Sequence, residues 1–337
     1  MHIVVLAGGI GGARFLTGVR AVAERRTAAG DPTSVTAIVN VGDDVTLHGL
    51  RICPDLDSVM YTLAGAADTE RGWGREGETW VIKTELAAYG AEPTWFGLGD
   101  KDVATHLVRT RLLAAGHPLS TATATLCERW RTGITLLPAS DDRLETHVVV
   151  GGEAPGPNGE PSAIGDDTEP ERAIHFQEWW VRFRAGLPAR RFVFVGAESA
   201  KPGAGVLDAI STADVIMVAP SNPVVSIAPI LAVGGLRDAL AAAPAKIVGY
   251  SPIIGGSPVR GMADKCLAAM SVEVSAEGVG GLYGARSGGG LLDAWLVDDS
   301  DAATAVPGVS VHVGPLWMTD VDTTADMVRR GLDAVSA

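Results

Sequence analysis

Residues 1–25 read MHIVVLAGGIGGARFLTGVRAVAER, and this stretch decides the fold. Ile3 to Leu6 is an uninterrupted apolar run, Gly8 to Gly12 is a glycine-rich turn, and a helix is predicted from about Ala13 to Arg25. A second apolar run from Val35 to Val41 completes one βαβ unit. The pattern resumes with Phe192 to Val195, Val215 to Val218 and Lys246 to Tyr250, separated by helical stretches rich in Ala and Leu. Strands that are apolar throughout predict a parallel sheet covered on both faces. The expected fold is therefore α/β, a Rossmann-like parallel sheet with helices on both faces. Residues 1–99 and 190–337 would form its nucleotide-binding core, with 100–189 as an inserted, smaller, mainly helical lobe. Gly151 to Pro170, dense in Gly, Pro and acids, reads as a mobile loop.

Composition narrows the function. The chain has 337 residues, 47% of them apolar and 20% charged, as in ordinary globular proteins. Lys plus Arg is 27 against 40 Asp plus Glu, a net charge of −13 that repels nucleic acid and anionic membranes. No apolar run approaches the roughly 20 residues of a spanning helix. The first apolar stretch lacks a basic leader and runs straight into glycines, so it reads as a strand and not a signal peptide. Cys53, Cys127 and Cys266 are odd in number and far apart, which supports neither a disulfide framework nor a cysteine zinc site. A cytoplasmic protein is expected.

The chemistry-bearing motifs follow predicted strands. Gly8 to Gly12 lies between strand and helix, where amides at Gly9, Gly11 and Gly12 approach phosphate oxygens at a positive helix end. No Gly-Lys-Ser/Thr follows, so this is not a Walker loop, and Arg14 stands where a dinucleotide fingerprint has its third glycine. Asn40-Val41-Gly42-Asp43-Asp44 occupies the carboxyl end of the second strand, where open α/β sheets bind ligands. With Asp55 and Asp57 of Pro54-Asp55-Leu56-Asp57, four acids fall within fifteen residues. Helix capping explains one of them; a hard cation such as Mg²⁺ explains several, with Asp44, Asp55 and Asp57 as the expected ligands. Gly99-Asp100-Lys101-Asp102, followed by His106, Arg109 and Arg111, is a weaker signal for a recognition turn. Ser221 and Asn222, and the Ser251 to Gly256 loop with Gly255, follow later strands and should share the glycine rim. His175 to Trp180 opens a helix whose aromatics would form either a pocket wall or core. No GxSxG elbow or reactive cysteine context supports covalent catalysis.

In order, GGIGGAR, NVGDD, HGLRICPDLDSVMY, GWGREGETW, GLGDKDVATH, SDDRLET, HFQEWWV, SNPVVSI and SPIIGG resemble the 2-phospho-lactate transferase family of deazaflavin coenzyme biosynthesis. The resemblance covers most of the chain and rests on the ordered set, since each motif alone is weak. It implies a Mg²⁺-dependent, commonly homodimeric transferase. The donor would be a guanosine diphosphate-linked three-carbon acid, the acceptor the deazaflavin Fo, and the products GMP and a coenzyme F-420 precursor. Asp44, Asp55 and Asp57 would then be catalytic, with Asp57 or Asp43 as base, and Asp55, Asp57 and Lys101 would meet the acceptor. Many relatives carry Arg where Lys101 stands, which loses two-pronged hydrogen bonding here. Guanosine is assigned to Ser221, Asn222 and Ser251 to Gly256. No motif separates phospholactyl, phosphoenolpyruvyl and phosphoglyceryl groups. The 22 Arg against 5 Lys suggest GC-rich coding, which by association with actinobacteria favours phosphoenolpyruvate. The alternatives are a nucleotide-sugar-binding regulator of a related glycine-loop family and, less favoured, an NAD-dependent oxidoreductase.

Overall fold

The computed structural model describes residues 1–151 and 171–336, so the Gly151 to Pro170 loop lies, Gly151 apart, outside the described residues. In chain order the first half contains β1 (His2–Ala7), α1 (Gly9–Ala28), β2 (Ser34–Val39), β3 (Val45–Leu47), β4 (Leu50–Ile52), α2 (Pro54–Leu63), α3 (Val81–Ala88), α4 (Asp100–Ala114), α5 (Leu119–Trp130), β5 (Thr135–Pro138) and β6 (Glu145–Val150). Then come β7 (Arg172–His175), β8 (Ala189–Val195), α6 (Val206–Thr212), β9 (Val215–Val218), α7 (Ala228–Ala232), α8 (Leu236–Ala242) and β10 (Lys246–Tyr250). The chain finishes with β11 (Ile253–Ile254), β12 (Ser257–Pro258), α9 (Ala263–Ala269), α10 (Ala276–Tyr283), β13 (Ala294–Val297), β14 (Ser310–Val313) and α11 (Val321–Ser336).

Among the described residues, seven strands form one parallel sheet in the order β14-β13-β10-β9-β1-β2-β5. Every residue of β9 and β13 is buried, and all of β1 after His2, because helices cover the sheet and leave no face for polar side chains. One group of helices packs α1 against α2 and α11; another packs α6 and α7 against α8. Chain order runs outward from β1 to β2 and β5 on one side, and to β9, β10, β13 and β14 on the other. The switch in winding direction therefore lies between β1 and β9, where such sheets open a ligand crevice beyond their carboxyl ends.

Three expectations change. Phe192 to Val195 is not a strand of the parallel sheet; within β8 it runs antiparallel to β6 in a separate three-stranded sheet with β7. Only one face of β8 is covered, with Phe192 and Phe194 against the core and Val193 and Val195 exposed, so its apolar run imitated a strand buried on both sides. Conversely β5, from within 100–189, joins the main sheet beside β2, so that stretch is not wholly separate from the core. Helix α1 also starts earlier than predicted, at Gly9, inside the glycine run. Among the described residues no single helix is long and apolar enough to cross a membrane.

Candidate active site

The glycine turn is built by close approach. Gly8 is extended and Gly9 has φ +61°, which favours glycine, as the chain turns into α1. A Cβ on Gly12 would lie 2.7 Å from Ser221 Oγ, and one on Gly11 2.8 Å from the Pro220 carbonyl, so the β1 and β9 loops touch across the switch point. Ser221 Oγ accepts from the Gly8 amide at 3.2 Å and donates to the Gly8 carbonyl at 2.8 Å. The first turn of α1 contains no acid and has no side-chain cap, and Gly9 to Gly11 remain partly accessible. This end of the helix has the amides and dipole sign that suit an anion.

Beside it lies the acidic loop. Asn40, at the end of β2, donates through its side-chain amide to Asp43 Oδ1 (3.2 Å), Asp55 Oδ2 (2.9 Å) and the Val225 carbonyl (3.1 Å), and accepts from the Gly42 amide (2.8 Å). A Cβ on Gly8 would lie 2.5 Å from Asp55 Oδ2, and the Gly9 amide favours the ionised form of that carboxyl, so the acid cluster abuts the glycine turn. Gln177 donates to Asp43 Oδ2 at 3.1 Å, and His175 Nε2 donates to the Asp44 carbonyl at 3.2 Å. The β3–β4 hairpin turns on His48 and Gly49, both at positive φ, as a two-residue hairpin loop requires. That turn returns Arg51 and Cys53 to Asp44 Oδ2, at 2.9 and 3.0 Å.

All four acids are buried. Burial, then the neighbouring Asp55 carboxylate, pushes Asp43 well above the usual carboxylate range. Burial likewise raises Asp44 and Asp55 to about 6, although Arg51 opposes it at Asp44 and the Asn40 amide opposes it at Asp55. The site thus concentrates negative charge that its own cations do not balance.

Asp57 differs. It forms a two-pronged ion pair with Arg109 of α4, through Nη1 to Oδ2 at 3.1 Å and through Nη2 to Oδ1. Neither Asp55 nor Asp57 caps α2: Cys53 is the cap residue, Pro54 opens the helix, and both acids sit in its first turn. Among the described residues, no three His, Cys, Asp or Glu side chains converge as a ready metal-ligand set. Mg²⁺ is commonly held by one or two carboxylates together with substrate phosphates and water, and the Asp43–Asp55 pair fits that pattern. Asp44 adds Oδ1, which is buried without a hydrogen-bond partner. Of the expected trio of Asp44, Asp55 and Asp57, the third differs in its surroundings, since Arg109 bonds both oxygens of Asp57.

The remaining candidates divide. Lys101 is exposed at the start of α4, with its ammonium on the Glu76 carbonyl at 3.0 Å. Asp100 beside it accepts from the Val81 and Ile82 amides at the head of α3. Asn222 accepts from the Val224 and Val225 amides, capping a π-helical turn at Pro223–Ile227. Ser251 Oγ donates to the Ile253 carbonyl, and the Gly255 amide donates to Asp301. These side chains shape the rim through internal bonds. Trp179 is core, with its indole N–H on the Leu187 carbonyl, while Trp180 is exposed. The sequence marked Arg109 only as one of several basic residues able to meet phosphate or carboxylate, and the structure gives it the Asp57 carboxylate. Asn40 and Gln177 were not foreseen as partners of the acids; Asn40 had a signal, its place at the end of β2 inside NVGDD, and Gln177 had none.

Comparison with known proteins agrees with this architecture. A crystal structure of a UPF0052 family member from Bacillus halodurans superposes with a TM-score of 0.58 over 98% of each chain at 17% identity, which shows the fold alone. A phosphoenolpyruvate transferase from Nocardia farcinica is 57% identical, covering 98% of this chain and 94% of its own. Phosphoenolpyruvate transferases from Mycobacterium sp. (strain JLS) and Thermobifida fusca are 56% and 55% identical, covering 98% and 99% of this chain and 98% and 97% of their own. The family model described as 2-phospho-L-lactate transferase CofD matches residues 3–322, and the chain belongs to that transferase family.

Proposed function

We propose that this chain transfers a phosphoenolpyruvyl, or alternatively a 2-phospholactyl, group from a guanosine diphosphate-linked donor to the ribityl hydroxyl of Fo. GMP leaves, and the product is dehydro-coenzyme F-420-0 or coenzyme F-420-0. The names of the 55–57% identical relatives favour the phosphoenolpyruvyl unit. The observation that carries the reading is the meeting of a glycine-lined helix start with uncompensated buried acids, where Asp55 lies against Gly8 at the head of α1.

Transfer of this kind needs alignment and charge neutralisation more than a reactive side chain. The α1 amides would cradle donor phosphate oxygens, and Asp43 and Asp55, with Asp44 adjacent, would hold Mg²⁺. When bound, the cation would supply positive charge to offset that of the diphosphate. Asn40 keeps Asp43 and Asp55 together at fixed separation, and Gln177 orients Asp43 from the small sheet. Lys101, exposed at the head of α4, offers a positive charge to the acceptor. Asp57, neutralised by Arg109, is assigned neither to the metal nor to proton transfer. We further propose that the enzyme is a homodimer, as the family resemblance implies, and cytoplasmic, as its three scattered cysteines suggest.

The test is a titration of Fo fluorescence with and without Mg²⁺ and GDP, followed by mass spectrometry with the three candidate donors. Saturable Fo binding and one product mass support the transferase and name its acid. Absence of Fo binding and of product under every condition overturns it in favour of a nucleotide-sugar-binding regulator.

A further inference from the structure

Arg109 lies in the third turn of α4 and is 1% exposed. Its guanidinium grips both oxygens of Asp57, reaches the Arg51 carbonyl at 3.4 Å, and meets His106 Nδ1 at 3.2 Å. Arginine only donates, so His106 Nδ1 accepts and its ring proton sits on Nε2, facing Asp102 Oδ2 at 3.4 Å. One buried cation thus joins three pieces of chain: the end of the β3–β4 hairpin, the first turn of α2, and α4.

A buried ion pair adds little net stability over a well-packed apolar pair, because both charges have lost their hydration. Its two-pronged geometry instead specifies position and angle. What it specifies here is the turn Pro54–Asp57, which also carries Asp55. Asp55 has no cationic partner among the described residues; the Asn40 side-chain amide donates to it at 2.9 Å. Little room exists for it elsewhere, since a Cβ on Gly8 would lie 2.5 Å from Asp55 Oδ2. Arg51, whose carbonyl Arg109 touches, holds Asp44 with its own guanidinium. The same buried arginine therefore braces the segments that carry two of the site's acids.

We propose that Arg109 is a positioning residue of the transfer site, acting through Asp57 to fix the first turn of α2 and with it the Asp55 carboxylate. This rests on the reading of the acidic loop as a metal and phosphate site. Asp57 then serves as the anchor for Arg109 and has no part in proton transfer.

The experiment compares full-length wild type with Arg109→Lys, Asp57→Asn and the double variant. Arg109→Lys is the decisive variant, because it keeps the buried charge paired and loses only the fork. Three quantities are read: hydrogen exchange of residues 53–60 in metal-free protein, the dissociation constant for Mn²⁺, and turnover at saturating metal. Outer-shell partners of metal ligands typically change affinity 10- to 100-fold. The expected result is Mn²⁺ binding weakened about tenfold in each single variant and no further in the double, as residues acting in series are non-additive. Exchange should rise at residues 53–60 while β1 stays protected, which a general loss of stability would not produce.

Normal Mn²⁺ affinity and normal exchange in Arg109→Lys overturn the proposal. So does a loss of turnover at saturating metal in Asp57→Asn that Arg109→Lys does not share, since Asp57 would then act directly. If wild type neither binds Mn²⁺ nor uses any donor, the functional reading fails. Local exchange in Arg109→Lys still decides, in that case, whether Arg109 holds α2.

Discussion

The hydroxyl of Ser221 bonds both backbone groups of Gly8, accepting from the amide at 3.2 Å and donating to the carbonyl at 2.8 Å. A residue expected to read guanosine is the clasp that closes the β1 loop on the β9 loop. Ser221→Ala leaves two polar backbone groups of a buried glycine without this partner, a loss of about 1–3 kcal/mol. Urea denaturation should show that loss, with the preference for guanine over other bases unchanged. A shift in base preference at unchanged stability would return Ser221 to the nucleotide.

Asn222 gives a related expectation. Its Oδ1 accepts from the Val224 and Val225 amides, so Asn222→Ala should lower stability by about 1 kcal/mol, in the range for lost helix caps. Asn222→Asp retains the acceptor and should stay close to wild type in melting temperature and in donor KM. A large donor KM change in Asn222→Asp, with melting intact, would show that the amide contacts the base.

Gly8→Ala tests the contact between the glycine turn and Asp55. The added methyl would stand 2.5 Å from Asp55 Oδ2 and 2.9 Å from Ser226 Cβ, so both must give, Asp55 the more. Overpacking of this kind costs about 1–3 kcal/mol. A carboxylate displaced by about 1 Å should lower turnover about 100-fold. Steady-state kinetics alongside thermal melting checks both, and wild-type turnover would remove Asp55 from the site.

The acid cluster makes the metal-free protein sensitive to pH in an unusual direction. Asp44 and Asp55 are raised from 3.8 to about 6, so the folded state holds their protons more tightly than the unfolded chain. Their favourable contribution is present below the unfolded value and is lost as pH rises through about 6. For Asp55 the shift corresponds to on the order of 3 kcal/mol. In EDTA, Asp55→Asn should therefore gain melting temperature relative to wild type as pH rises from 5 to 8, and saturating Mg²⁺ should narrow the gap. A difference that stays flat with pH would show that Asp55 carries no such strain.

Much of this arrangement was legible because it is local. The glycine turn after β1 and NVGDD after β2 sit at strand ends that periodicity locates, and the carboxyl ends of parallel strands share one rim. The contacts that define the acids are not local. Arg109 is 52 residues from Asp57, and Gln177 is 134 from Asp43. Spacing could present Arg109 as one more charge on α4, but not as a buried fork. Ser221, Asn222 and Ser251 show the converse, since their residue types suit a ligand and also suit the turns that employ them. The apolar string in β8 misled for a physical reason too: a strand covered on one face and a strand covered on both can carry the same residues when the exposed face is left apolar.

The sequence by itself determined the βαβ start, the parallel sheet, the rim on which glycines and acids gather, and the family resemblance. Each follows from periodicity or from motifs whose members lie within a few turns of one another. Only the tertiary structure decided which acids keep uncompensated charge. Asp57 is matched by a cation brought from α4, Asp44 by Arg51 on one oxygen, and Asp43 and Asp55 by neutral amides. That division depends on which side chains face each other once α2, α4 and the small sheet close on the rim, and low-dielectric burial turns each pairing, or its absence, into a large difference in charge stability.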